Sequence, residues 1–121
     1  MNHKQRIECF ERNIQECRKI WEAKGIEYAN SDVDANANFK SDEEIGISSI
    51  KSVSVFMNKH YRSIRSYVKK GSVVSNETIE GRLHDLINYS LIMLSIIEDE
   101  KSRAVGETEG NVLEGSIRFD D

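Results

Sequence analysis

The chain contains no proline. No interior position is therefore forced to give up a backbone donor, and long uninterrupted helices are open to it. Cysteine is scarce: Cys9 and Cys17 are the only two, eight residues apart. On one helix that separation is about 12 Å along the axis, too far for a disulfide. Nor does it match metal-ligand spacing, so both read as small core residues in a reducing compartment. No apolar run reaches membrane-spanning length. His3, Lys4, Arg6, Glu8 and Glu11 break up the start, so no signal peptide is read there. A glycine-rich phosphate loop, a Ser nucleophile elbow and a zinc motif are all missing. These absences lead to the expectation of a soluble, cytoplasmic, all-α protein.

What is present suits one domain. A chain of 121 residues, 38% of them hydrophobic, buries roughly 65% of its unfolded surface on folding. The formal net charge of −4 argues against non-specific nucleic-acid binding. Charge is unevenly placed. Residues 51–70 hold six Lys or Arg and no acid, whereas residues 98–121 hold eight acids and three bases.

Apolar periodicity predicts a bundle of three long helices, over residues 4–28, 47–70 and 77–102. Ile7, Phe10, Ile14, Cys17, Trp21 and Tyr28 form the first stripe, with Gly25 weakening the helix end. Ile50, Val53, Met57, Tyr61, Ile64 and Val68 form the second. Ser41 or Ser48 caps its start, and Gly71 is its stop, with Lys69 and Lys70 favourably placed against the dipole. Asn76 or Ser75 caps the third helix. Residues 1–102 make the helical domain and residues 103–121 an acidic, glycine-punctuated tail. Asn111–Leu113 and Ser116–Phe119 suit a short hairpin or an arm to another subunit; a disordered tail is the alternative. Between the first two helices, Phe39 stands alone among Asx residues and is expected to pin that connection to the bundle. Asn30–Asn38 lacks the ordered spacing and central glycine of a calcium loop.

The third helix carries the least expected pattern. Asp85, Asn88, Tyr89, Ile92 and Ile96 share one face, with Arg82 a turn earlier. Leu83, Leu86, Ile87, Leu94 and Ile97 occupy the opposite face. A helix apolar on both sides is expected to be buried. Its Asp, Asn and Arg then need partners or a ligand. Glu77 and Asp85 are candidate ligands for a divalent cation, with Glu80 well round the helix from Asp85. A structural Arg82–Asp85 pair at i, i+3 is the competing reading. Glu27 lies at the edge of the first stripe, either solvated or reaching a site at the open end of the bundle. On the second helix Lys51, Asn58, Arg62, Arg65 and Lys69 share a face that suits an anionic partner or is merely solvated. His60 lies on the apolar side, and Lys59 falls between the two faces.

The ordered set Cys17–Tyr28, Asn38-Phe39, Lys59-His60, Glu77, Gly81-Arg82, Asp85 and Asn88-Tyr89 resembles small phage and prophage proteins of the nucleotide-modification-associated kind. It is distantly similar to the all-α nucleotide pyrophosphohydrolases of the MazG and dimeric dUTPase group. The resemblance spans roughly residues 10–100 and implies an oligomeric helical bundle acting on nucleotides. In that group carboxylates from two helices hold magnesium against a nucleoside triphosphate. By resemblance, Glu27, Glu77 and Asp85 are the catalytic and metal-binding positions. Lys59, His60 and Arg82 face phosphate by the same resemblance; Lys24, Asn88 and Tyr89, together with Arg62 and Arg65 of the basic stripe, complete the nucleotide-binding set. The group's further Glu-x-x-Glu pair has no counterpart on the second helix. Three readings follow: a magnesium-dependent nucleotide hydrolase, a protein that sequesters a nucleotide-derived host defence signal, and a helical interaction module.

Overall fold

The computed structural model describes residues 1–29, 34–72 and 77–107, the side chains of residues 26–29 and 107 excepted. The chain is all-α. Three long helices, α1 (His3–Ala29), α2 (Ser49–Lys70) and α3 (Ile79–Glu107), are joined by a connection containing two short 3-10 turns, Ala37–Lys40 and Glu43–Ile45. Among the described residues there is no strand. No helix among them is long and apolar enough to cross a membrane.

Local chemistry fixes the ends. Asn2 Oδ1 accepts from the Gln5 N–H at 2.9 Å, and Gln5 Oε1 accepts from the Asn2 N–H at 2.8 Å. This reciprocal box satisfies two donors at the start of α1. Ser48, not Ser41, caps α2 by accepting from Lys51 N. Gly71 closes it in the left-handed conformation at φ 75°, its N–H reaching Tyr67 O, where a side chain would be strained. At α3 the Thr78 hydroxyl accepts from Gly81 N at 3.0 Å. Asn76 and Ser75, the expected caps, lie outside the described residues, as do residues 108–121 with the expected hairpin or arm. α3 itself continues past Ser102 to Glu107, so the first residues assigned to the tail are helical. Arg103 is paired with Asp99 one turn back, at 3.9 Å.

α3 is the central element. Asn13 meets His84 and Cys17 meets Asn88, so α1 runs parallel to α3. Phe56 meets Tyr89 and His60 meets Asp85, so α2 runs antiparallel to it. The core sits between α2, α3 and the connection: Phe39, Val53, Ile92 and Ile96 are buried, with Ile50, Met57, Tyr89 and Met93 packed round them. Phe39 does pin the connection. Beside it, Asn36 Nδ2 donates to Ser95 Oγ at 3.2 Å, and Lys40 pairs with Asp34 while approaching Asp99 at 3.9 Å.

Expectations about burial are corrected on all three helices. On α1, Cys17 is buried, but Ile7, Phe10, Ile14 and Trp21 remain exposed, Phe10 by 63%. On α3, Leu83, Ile87 and Leu94 are exposed, so in one copy the helix is buried on one side only. α1 grips α3 along a narrow line, and among the described residues no third element covers the apolar face the two helices share. On α2, Val53 is buried and Ile50 and Met57 pack against the core as expected, but Tyr61 and Val68 are exposed, and Ser49 and His60 are buried as well.

Candidate functional site

The polar row on α3 is real and inward-facing. Arg82 is 8% exposed and Asn88 4%, and Asp85 lies between them on the same face. The helix places them there because Ile92 and Ile96, one and two turns onward, must enter the core. Across from Asp85, α2 brings His60, itself 7% exposed. Its Nδ1 lies 2.9 Å from Phe56 O, and its Nε2 lies 3.1 Å from Asp85 Oδ2. A carbonyl can only accept, so Nδ1 must donate. The second contact is then a hydrogen bond only if another proton lies between Nε2 and Oδ2. His60 and Asp85 therefore form a nearly buried pair that ties α2 to α3.

Arg82 Nε lies 3.3 Å from Glu77 Oε2, an electrostatic contact rather than an aligned hydrogen bond. Of the sequence-predicted carboxylates on this side of the molecule, Glu77 thus faces Arg82 and Asp85 faces His60. Among the described residues no three His, Cys, Asp or Glu come together in a way that could hold a metal ion. The Glu27 side chain lies outside the described residues. Glu77 and Asp85 as placed do not fit a magnesium centre, because each would have to leave its present partner.

Tyr89 stacks on Phe56, with centroids 5.7 Å apart and planes at 6°, and meets Phe39 edge-on at 6.5 Å. The His60 ring lies 5.2 Å away. Its ring is thus committed to packing, and it props His60 toward Asp85. Cys17 is buried with its Sγ 3.9 Å from His84 O. Burial pushes its thiol up, and the nearby charges of Asp85 and then Glu16 push the same way. That makes it an inert core thiol, as the spacing suggested.

His60, Arg82, Asp85, Asn88 and Tyr89 are therefore gathered. Lys24 is half-buried on α1, away from that row in sequence and fold, and Lys59 is exposed. Arg62 and Arg65 stand apart on the outer face of α2. There, with Ser66, Lys69 and Lys70, they outline a groove of about 310 Å³. None of its four cations is paired with a carboxylate among the described residues.

Two features escaped the sequence reading. His84 Nε2 donates to Asn13 Oδ1 at 2.7 Å, locking α1 onto α3. A pocket beside Trp21 and Asn88 opens between the same helices. Periodicity places Trp21 on an apolar stripe but says nothing about whether a neighbour covers it. No family model, curated protein or solved structure matches this chain.

Proposed function

We propose that this chain binds a phosphate-bearing nucleotide or nucleotide-derived signal and holds it intact. The α2 groove carries this reading. Arg62, Arg65, Lys69 and Lys70 converge around Ser66, in a protein of net charge −4. Cations kept together without carboxylates concentrate positive potential, and guanidinium forks match phosphate oxygens. Sequestration is favoured over hydrolysis because Glu77 faces Arg82 and Asp85 faces His60. Capture of a host defence messenger by a phage-type protein, working as a homo-oligomer, is the form of this function that the resemblance suggests.

Calorimetric titration with nucleoside triphosphates and cyclic dinucleotides tests it. Arg62→Gln combined with Arg65→Gln is expected to weaken binding about tenfold or more, and raising salt should weaken the wild type as well. Affinity indifferent to both would mean that the groove is only a solvated face.

A further inference from the structure

The apolar face shared by α1 and α3 lies on the side of α3 turned away from α2, and among the described residues nothing covers it. Ile7, Phe10, Ile14 and Trp21 supply it from α1, and Leu83, Ile87, Leu91 and Leu94 from α3; each is between 36% and 63% exposed. Together they present on the order of 800 Å² of apolar surface, one partner's share of a standard-sized interface. That exceeds what a free monomer usually exposes in one patch. The layout has an internal symmetry. Asn13 and His84, and Cys17 and Asn88, are contacting pairs each 71 residues apart in sequence, which sets Ile14 level with position 85 of α3. Ile7 and Trp21 stand equally far to either side of Ile14, and Leu83 and Ile87 equally far to either side of that level. The rim is matched in place and opposite in sign. Glu11 and Arg18 border the stripe on one edge of α1, because seven residues are about two turns. Both are exposed, and neither has an ion-pair partner among the described residues.

A face that matches itself when turned end over end fits a second copy of the same chain, the isologous arrangement of two-fold dimers. We propose that two copies pack these faces together about a two-fold axis crossing α1 at Ile14, with α1 antiparallel to the partner's α1 and α3 antiparallel to the partner's α3. Ile7 then meets the partner's Trp21, Leu83 meets the partner's Ile87, and Glu11 lies opposite the partner's Arg18, each contact occurring twice. The four helices close into a bundle with the apolar stripes inside. The other possible two-fold, with its axis along the helices, sets α1 over the partner's α3. It brings neither Ile7 to Trp21 nor Glu11 to Arg18. In the antiparallel dimer α2 stays on the outside, so both of its grooves remain open and one dimer offers two of them. This arrangement makes specific the homo-oligomer named above, and it stands whether or not the groove binds a nucleotide.

Trp21 is the only tryptophan, so its emission reports on whether the face is covered. The unaltered chain is diluted first, with sedimentation equilibrium and Trp21 emission followed together. A dimer is expected, and its dissociation should move the emission to longer wavelength. Glu11→Arg and Arg18→Glu should each raise the dimer dissociation constant about tenfold, two repelling pairs replacing two attracting ones. Glu11→Arg combined with Arg18→Glu should restore it, because the pairs re-form with their signs exchanged. Both positions are on the surface, so the helical circular dichroism should not change. Four results would each overturn the assignment: a chain monomeric at every concentration, association that leaves Trp21 emission unmoved, single variants that associate like the wild type, or a double variant no better than the singles. A monomer whose Trp21 is already shielded would mean that residues 108–121 of the same chain cover the face. Nucleotide affinity per chain, measured on the same variants, should be unchanged, so loss of the dimer and failure of the α2 groove are told apart.

Discussion

His60 has two ring nitrogens, and both are engaged, one by a carbonyl of its own helix and one by Asp85 on the next. Removing one partner of such a pair strands the other. Asp85→Ala should therefore destabilise the protein by about 1–3 kcal/mol, the usual result of orphaning a buried polar group. Asp85→Asn, whose amide can still hydrogen-bond with Nε2, should cost less. Urea denaturation of the two variants, and of a double variant with His60→Ala, measures the coupling, expected at roughly 0.5–3 kcal/mol for contacting residues. No loss in Asp85→Ala would remove the pair from the structural account. Local spacing suggested Arg82 as the partner of Asp85. The partner found instead comes from another helix, and helical period carries no information about what stands across an interface.

The connection between α1 and α2 behaves as an element in its own right. Phe39 anchors it, and Asp34 is tied to Lys40. The hydrogen bond from Lys40, followed by that from the Asn36 N–H, holds the Asp34 carboxyl below the ordinary carboxylate range. A carboxyl whose pKa is lower folded than unfolded stabilises the fold at pH above the ordinary range. That contribution fades as pH falls through the folded value. Acidification should thus loosen residues 34–40, visible as shifted Phe39 ring signals by NMR. Asp34→Asn should flatten that response, and an unchanged response in the variant would move its cause elsewhere.

The elements themselves were largely legible. A serine before α2, a glycine after it and the lone Phe39 each act through chemistry confined to a few residues, so sequence shows them directly. The extra turn of α3 was obscured because Lys101–Val105 suits a helix or a polar tail equally. The site was legible in part. The row Arg82, Asp85, Asn88 follows from period alone, whereas the Trp21–Asn88 pocket depends on how closely α1 approaches α3.

At the scale of the whole molecule, one face stands uncovered among the described residues. Ile7 and Phe10 of α1, with Leu83 and Leu94 of α3, stand exposed. Apolar groups gathered over more than a few hundred Å² usually mark an interaction surface, which supports the proposed homo-oligomer. Phe10→Glu should shift sedimentation equilibrium toward the monomer without loss of helical signal. Unchanged association would place any interface elsewhere, α2 with its exposed Val55, Tyr61 and Val68 being the next surface to test.

Holding without turnover is the central claim, and recovery of the ligand tests it most directly. The protein is mixed with nucleoside triphosphates and cyclic dinucleotides, with and without magnesium, then denatured, and the nucleotides are identified by chromatography. Sequestration predicts a bound nucleotide recovered intact, with affinity independent of the metal. Magnesium-dependent release of a monophosphate, lost in Asp85→Asn or Glu77→Gln, would contradict it and make the chain a hydrolase.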